Sequence, residues 1–175
     1  MSQLNDIALE ALRTRITGAF PAQIVASLRE LTDEQIWWRP NESSNSVGNL
    51  VLHLTGSLNH FLNHNLGGLD FTRDREKEFA ERTMISRDEL IAAFETMIAE
   101  ANKTFAGLTP ASLENASPEP KMSTIVFQDL LGIATHIAAH SAQIVYITKM
   151  LKEGSLDEVW IHSHRDTGVW KKKDA

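Results

Sequence analysis

The longest hydrophobic stretch of the chain runs from Ser123 to Glu153 and contains no proline. Its apolar residues fall on every side of a helical projection, which predicts a helix that is buried all round. These residues are Val126, Phe127, Leu130, Leu131, Ile133, Ile137, Ile144, Val145, Ile147 and Leu151. At about 1.5 Å per residue the helix would be roughly 40 Å long, enough for the central helix of a bundle.

The same helical spacing of apolar positions recurs three times earlier in the chain. Pro21 interrupts the first run, so one kinked helix or two collinear pieces meeting near Gly18 are both compatible with the pattern. Ser46 and Ser86 stand where helix N-caps are expected, and Gly67-Gly68 and Gly107 stand at helix ends. The pattern predicts long helices over about 3–30, 47–66, 86–107 and 124–152, with short helical turns over 32–37 and 109–113.

The order of long helix, short turn, proline-containing loop and long helix occurs twice. This predicts an all-α protein made of two helical hairpins packed as a bundle. We expect one bundle domain over 1–153 and a tail over 154–175, in which His162 and His164 are exposed. Residues 67–85 are charged and lack periodicity, so we interpret them as a long crossover that has room for a helical turn.

Composition excludes several classes of protein. The 175 residues include no cysteine, which removes disulfides, thiolate metal sites and a thiol nucleophile of the protein's own. The net charge is −6, and the cations are dispersed except for Lys171, Lys172 and Lys173, which is unlike a nucleic-acid-binding surface. The apolar helix carries too many polar residues to cross a membrane, and the first residues lack the apolar core of a signal peptide. We therefore expect a cytoplasmic protein.

Two histidines interrupt the apolar helix. His136 and His140 are four residues apart and project from one face, with Asp129 and Gln143 on or beside the same line. Buried histidines satisfied by hydrogen bonds alone are one interpretation. A shared metal ion is the other, because one ion serves two imidazoles at once.

The second helix offers three further histidines. His53, His60 and His64 are spaced by nearly whole numbers of turns, but only one level can face the pair on the last helix. His53 lies two turns into its helix among apolar residues, whereas His64 is near the helix end. We therefore predict His53 as the third ligand, His60 at the edge of the site and His64 on the surface.

Three imidazoles suit a borderline divalent cation such as Zn²⁺ or Ni²⁺ and leave a coordination position open, as a catalytic metal requires. The zinc-peptidase motif is absent, because Ile137 stands where its glutamate would be. No glutamate precedes any histidine by three residues, so the di-iron bundle pattern is absent too.

Three segments together resemble a known family. They are WRPNESSNSVGNLVLH over 38–53, RDREKEF over 73–79 and HIAAHSAQIVY over 136–146. The chain resembles the DinB-like superfamily of DinB/YfiT-like metalloenzymes, in a branch of uncharacterised domains. The resemblance implies a four-helix bundle with an unusual connection order, frequently a homodimer, and a metal site that falls here on His53, His136 and His140.

The resemblance also suggests chemistry. Characterised relatives include thiol-dependent S-transferases and a thiol-dependent isomerase, so a low-molecular-weight thiol is an expected cofactor beside the metal. We predict a metal-dependent thiol S-transferase or hydrolase of a small molecule, with Asn49, Ser57 and Gln143 supporting the ligands. The catalytic acid or base stays open. The alternative is a non-catalytic bundle that binds metal or ligand, or that acts as a stress-related interaction protein.

Overall fold

Helices account for the regular structure of the described chain. The structure is a computed structural model and describes residues 3–120, 123–154, 156 and 159. The helices are α1 (Gln3–Arg13), α2 (Phe20–Arg29), α3 (Asp33–Trp37), α4 (Val47–Leu58), α5 (Arg75–Ala80), α6 (Arg87–Gly107) and α7 (Val126–Leu151). One isolated β-bridge joins Ala116 to Ile125. The all-α class predicted from periodicity is confirmed.

Side-chain caps mark the N-termini of three helices at the positions predicted from the sequence. Thr32, Ser46 and Ser86 are N-caps with complete capping boxes. The last of these satisfies the first amide groups of α6, and α6 begins at the next residue. A 3₁₀ turn over Pro110–Glu114 occupies the position of the second predicted short turn.

Two π-helical turns lengthen α1 and α4. Thr14–Ala19 joins α1 to α2, and Asn59–His64 continues α4 towards Gly68, whose φ of 74° ends the helix. The first turn ends two residues before Pro21, which has no amide hydrogen for the regular helical hydrogen-bond pattern. The chain therefore forms one continuous helical segment here, widened rather than broken near Gly18.

The four long helical segments share one hydrophobic core. α2 and α4 are each flanked by α6 and α7, so the neighbours in space are not the neighbours in sequence. The fully buried side chains include Ile24, Leu28, Leu54, Leu58, Phe94, Met97, Leu130 and Ile137. This packing places α4 directly against α7, which carry the predicted histidines.

The burial of α7 differs from the prediction. The prediction that it is buried all round is wrong, because Leu131, Tyr146 and Met150 are 45%, 66% and 56% exposed. Only one face of a helix at the periphery of a bundle contacts the core. In the described residues α7 has the length and composition of a membrane span, and 39% of its most apolar window is buried.

The predicted C-terminal tail falls mostly outside the described residues, as do Trp160, His162 and His164. Leu156 and Val159 are buried in a small cluster with Val145, and Ala26 packs against it.

Candidate metal centre

Three histidines converge where α4 crosses α7. One ring nitrogen from each of His53, His136 and His140 lies within 4.8 Å of the other two. His136 and His140 are one turn apart on α7, and His53 projects from the facing side of α4. His53 is buried, and the other two are half-buried. The three donors belong to rigid helices, so the packing of α4 on α7 sets their distances.

Two of the nitrogens point at each other. His53 Nε2 lies 3.0 Å from His136 Nε2, and the ring centroids of His136 and His140 are 4.7 Å apart. Neutral imidazole nitrogens at this distance share one proton, or both direct a lone pair at the same cation. A set of three imidazoles fits Zn²⁺ or Ni²⁺ by ligand softness.

A buried ion pair supports His53 from behind. Glu78 on α5 accepts two hydrogen bonds from Arg73, from Nε at 2.7 Å and from Nη2 at 2.8 Å. Glu78 Oε2 also lies 3.0 Å from His53 Nδ1. The side chains of Glu78 and Arg73 are 9% and 11% exposed, so this network is largely shielded from water.

Two neighbours of His53 Nδ1 correspond to opposite tautomers of the ring. A carboxylate only accepts hydrogen bonds, so the contact with Glu78 corresponds to an Nδ1–H donor and leaves the lone pair on Nε2. Arg73 Nη2 lies 3.1 Å from the same Nδ1, and a guanidinium only donates, which corresponds to the opposite tautomer. The tautomer paired with Glu78 is the one that presents Nε2 to a cation.

Burial favours the neutral forms of His53 and His136. Desolvation, followed by the charges of His140 and His53, lowers the pKa of His136 to about 4. Desolvation also lowers the pKa of His53, although the hydrogen bond to Glu78 acts in the opposite direction. Burial would raise the pKa of Glu78, but hydrogen bonds from Arg73 and His53 outweigh it and hold that pKa below its ordinary value. At neutral pH the site therefore combines neutral His53 and His136 with an ionised Glu78.

Helix α5 is fixed at this position by α4. Asn49 Nδ2 donates to the carbonyl oxygens of Glu78 and Glu81, at 3.1 and 3.2 Å. Asp74 caps the first turn of α5. Gly56 provides the space, because a Cβ at this position would collide with the carboxylate of Glu78. The predicted supporting residue Asn49 thus contacts the backbone of α5 and acts on His53 through Glu78.

Of the other residues predicted for the site, two lie beside the histidine ligands and two lie outside the three-histidine group. His140 Nδ1 lies 2.7 Å from Gln143 Oε1, and Ser57 Oγ lies 3.5 Å from His136 Nδ1. His60 and His64 stack on each other with ring centroids 5.9 Å apart, and the described three-histidine group contains neither. The π-helical turn that begins at Asn59 removes the regular period by which they were aligned with His53.

The sequence matches the family described as "Protein of unknown function (DUF1572)" over residues 7–165. The chain belongs to this family. The matched region includes the three histidines and Glu78, so the candidate centre of this DUF1572 protein lies inside it. No curated protein matches the chain.

The contact of Glu78 with His53 was not predicted from the sequence of this DUF1572 protein. Three glutamates, Glu76, Glu78 and Glu81, occur in the aperiodic crossover, and no spacing distinguishes the buried one. The charge of Arg73, in the same crossover, is paired with Glu78. Gly56, one turn beyond His53, is the one sequence feature that could have indicated this contact. A glycine there lets a side chain from another element approach α4 closely.

A cavity of about 750 Å³ opens beside the centre in this DUF1572 fold. It lies between α4 and α7, with His53, Ser57 and His136 at one end. The crossover residues Arg73 and Arg75 and the loop before α7 complete its walls. The volume is in the range of sites for small molecules, and an ion bound by the histidines would face it.

Proposed function

We propose that this protein is a divalent-metal-dependent enzyme of the DinB-like superfamily that acts on a small molecule, as a thiol S-transferase or a hydrolase. The observation that carries the proposal is the convergence of three histidine nitrogens within 4.8 Å at the end of a 750 Å³ cavity. A structural ion needs no adjoining cavity, whereas a catalytic ion must be reached by substrate.

Each residue has a defined part in this proposal. His53, His136 and His140 hold Zn²⁺ or Ni²⁺, and Glu78 fixes the tautomer and orientation of His53. Such a cation supplies Lewis-acid chemistry, which makes a thiol or a water molecule nucleophilic near neutral pH. The chain has no cysteine, so a thiol would enter the cavity as a separate small molecule.

We also propose a cytoplasmic homodimer without a nucleic-acid or membrane partner. The support for the dimer is the exposed apolar face of α7, where Leu131, Tyr146 and Met150 lie. Exposed apolar side chains on a helix are a common feature of protein–protein contacts. A self-complementary face is the usual basis of a twofold dimer.

Metal analysis of purified, untagged protein tests the centre. We expect close to one divalent ion per chain in the wild type and a loss of most metal in His53→Ala, His136→Ala and His140→Ala. His60→Ala and His64→Ala are the matched controls, because they remove histidines of the same helical segment that lie outside the group. Loss of metal only in the two control variants would overturn the assignment.

Turnover tests the enzymatic part. Metal-loaded protein is screened against electrophiles with a panel of low-molecular-weight thiols, and against simple esters, amides and lactams. We expect turnover in the wild type that disappears in His140→Ala and persists in His64→Ala. Stoichiometric metal without any turnover would favour a non-catalytic metal- or ligand-binding bundle instead.

A further inference from the structure

The cavity beside the histidines is elongated along α7. α4 and α7 run antiparallel along it, since His53 meets His136 at one end and Asn65 reaches Glu119 at the other. Asp129 lines the far end and stands seven residues before His136. Two helical turns separate these residues, which is about 10 Å along the axis. A molecule that touches both ends is therefore longer than a metal-bound solvent molecule.

Gly132 occupies the middle of this path. It lies in the interior of α7 and lines the cavity between His136 and Asp129. A Cβ built at Gly132 meets no atom within 4 Å, so close packing does not require glycine here. Glycine in a helix interior costs about 1 kcal/mol relative to alanine. The missing side chain instead widens the cavity, next to the apolar side chains of Phe61 and Ile133.

Two carboxylates, those of Asp129 and Glu119, lie at the far end of the cavity. One oxygen of Asp129 accepts hydrogen bonds from Ser117 and Ser123. The other oxygen is buried and has no partner among the residues the structure describes. Glu119 adds a second carboxylate to the same end. An unpaired buried carboxylate oxygen is costly, and a positive charge nearby relieves that cost.

The histidine end of the cavity carries a positive charge. Arg75 lines the cavity there, and its guanidinium is 5.0 Å from the ring centroid of Phe79. Arg73 is neutralised by Glu78. The electrostatic field along the cavity therefore orients an asymmetric ligand, with its positive end towards Asp129.

We propose that the cavity binds an elongated amine. One end of this ligand presents an electron-pair donor to the three-histidine centre, its middle is apolar and passes Gly132, and a protonated nitrogen lies at the Asp129 end. The inference rests on the proposed metal centre and specifies the class of small molecule that the centre serves.

Binding of synthetic hydroxamates to the metal-loaded, full-length protein tests the proposal. Acetohydroxamate probes the metal alone. Three longer hydroxamates share a chain that spans about 10 Å and end in an ammonium, a methyl or a carboxylate group. We expect the ammonium probe to bind about tenfold more tightly than the methyl probe, the effect of one charge-assisted contact. The carboxylate probe should bind most weakly.

Two variants assign the effect to residues. Asp129→Asn keeps a hydrogen-bond acceptor for the two serines, and it should remove the roughly tenfold preference for ammonium. Gly132→Leu should abolish the tight binding of all three long probes and leave acetohydroxamate unchanged. Asp88→Asn makes the same change of charge, and Ala99→Leu adds a large apolar side chain, at exposed positions of α6, and both variants should behave as the wild type.

The outcomes separate this inference from the proposed function. If the protein takes up no metal, or metal-loaded protein does not bind acetohydroxamate, both are overturned. If acetohydroxamate binds but the ammonium probe gains nothing over the methyl probe, or the carboxylate probe binds best, the elongated-amine proposal alone is overturned. Gly132→Leu protein that binds the long probes like the wild type contradicts the proposed path along α7.

Discussion

The carboxylate of Glu78 contacts both the buried guanidinium of Arg73 and the candidate metal ligand His53. Its two oxygens take hydrogen bonds from Arg73, and one of them also pairs with His53 Nδ1. Removing the negative charge would leave the guanidinium of Arg73 buried without its counter-ion. It would also free the ring of His53 to adopt the tautomer that cannot present Nε2 to a cation.

We therefore predict that Glu78→Gln lowers metal affinity by about 10–100-fold, the usual effect of losing the partner of a ligating histidine. Competition with a chromophoric chelator measures the affinity directly. Glu76→Gln is the matched control, since this glutamate is exposed on the same short helix. Equal affinities of the two variants would show that Glu78 does not position His53.

The histidines and Glu78 differ in how far the sequence reveals them. His136 and His140 are found by their spacing on a strongly apolar helix, and His53 by its place on a second one. These signals are local and periodic. Glu78 becomes a partner of His53 only when the crossover folds back onto Gly56, which is a tertiary event that no local pattern records.

At the scale of elements, caps explain why helix starts agree with the sequence so closely. The capping box of α6 joins Ser86 and Glu89 by reciprocal hydrogen bonds. The two π-helical turns were not predicted. An i→i+5 turn changes the hydrogen-bond register of the backbone without changing which residues are apolar, so periodicity does not reveal it.

Ser86→Ala tests the cap of α6. The substitution leaves amide groups of the first turn without a partner, and we expect a loss of about 1 kcal/mol in the free energy of unfolding. Thr96→Ala is the control, because Thr96 is exposed within α6 and should change stability by about 0.5 kcal/mol or less. Urea denaturation at pH 7 measures both.

The same cap has a pH dependence whose sign follows from Glu89. Hydrogen bonds from the side chain and then the backbone of Ser86 lower the pKa of Glu89. The contribution of Glu89 to stability is therefore present above the ordinary pKa of a glutamate and is lost as the pH falls through the lowered value. The stability difference between wild type and Glu89→Gln should shrink as the pH falls from 6 towards about 3.

At the scale of the whole molecule, α7 has two faces with different surroundings. One face contributes to the core and the histidine centre, and the other exposes Leu131, Tyr146 and Met150. A sequence gives the apolar content of a helix, but it does not show whether a neighbouring helix or a second chain covers each side. For this reason the helix was predicted to be buried all round, and the order of neighbours around the core did not follow from periodicity.

We predict that Tyr146→Glu converts a dimer to a monomer, because a charge in the centre of an apolar contact is desolvated without a partner. Light scattering after size-exclusion chromatography measures the mass. Met84→Glu is the control, since Met84 is 61% exposed but lies on the crossover. A wild-type protein that is monomeric at all concentrations would exclude the proposed dimer.

The attachment of Glu78 to the crossover, rather than to a long helix, has a kinetic consequence. α5 has six residues and is held by a few hydrogen bonds, so its local opening costs less free energy than global unfolding. Each opening would withdraw the carboxylate from His53 and weaken one proposed metal ligand, so we expect the exchange rate of the ion to follow the local opening of this segment. Bound metal should then slow amide hydrogen exchange over 75–81, while the centre of α6 stays unchanged. Hydrogen-exchange mass spectrometry measures both regions, and equal slowing in both would indicate global stabilisation instead. We therefore expect the rate of metal release to be set by this surface segment and not by the buried helices that carry the histidines.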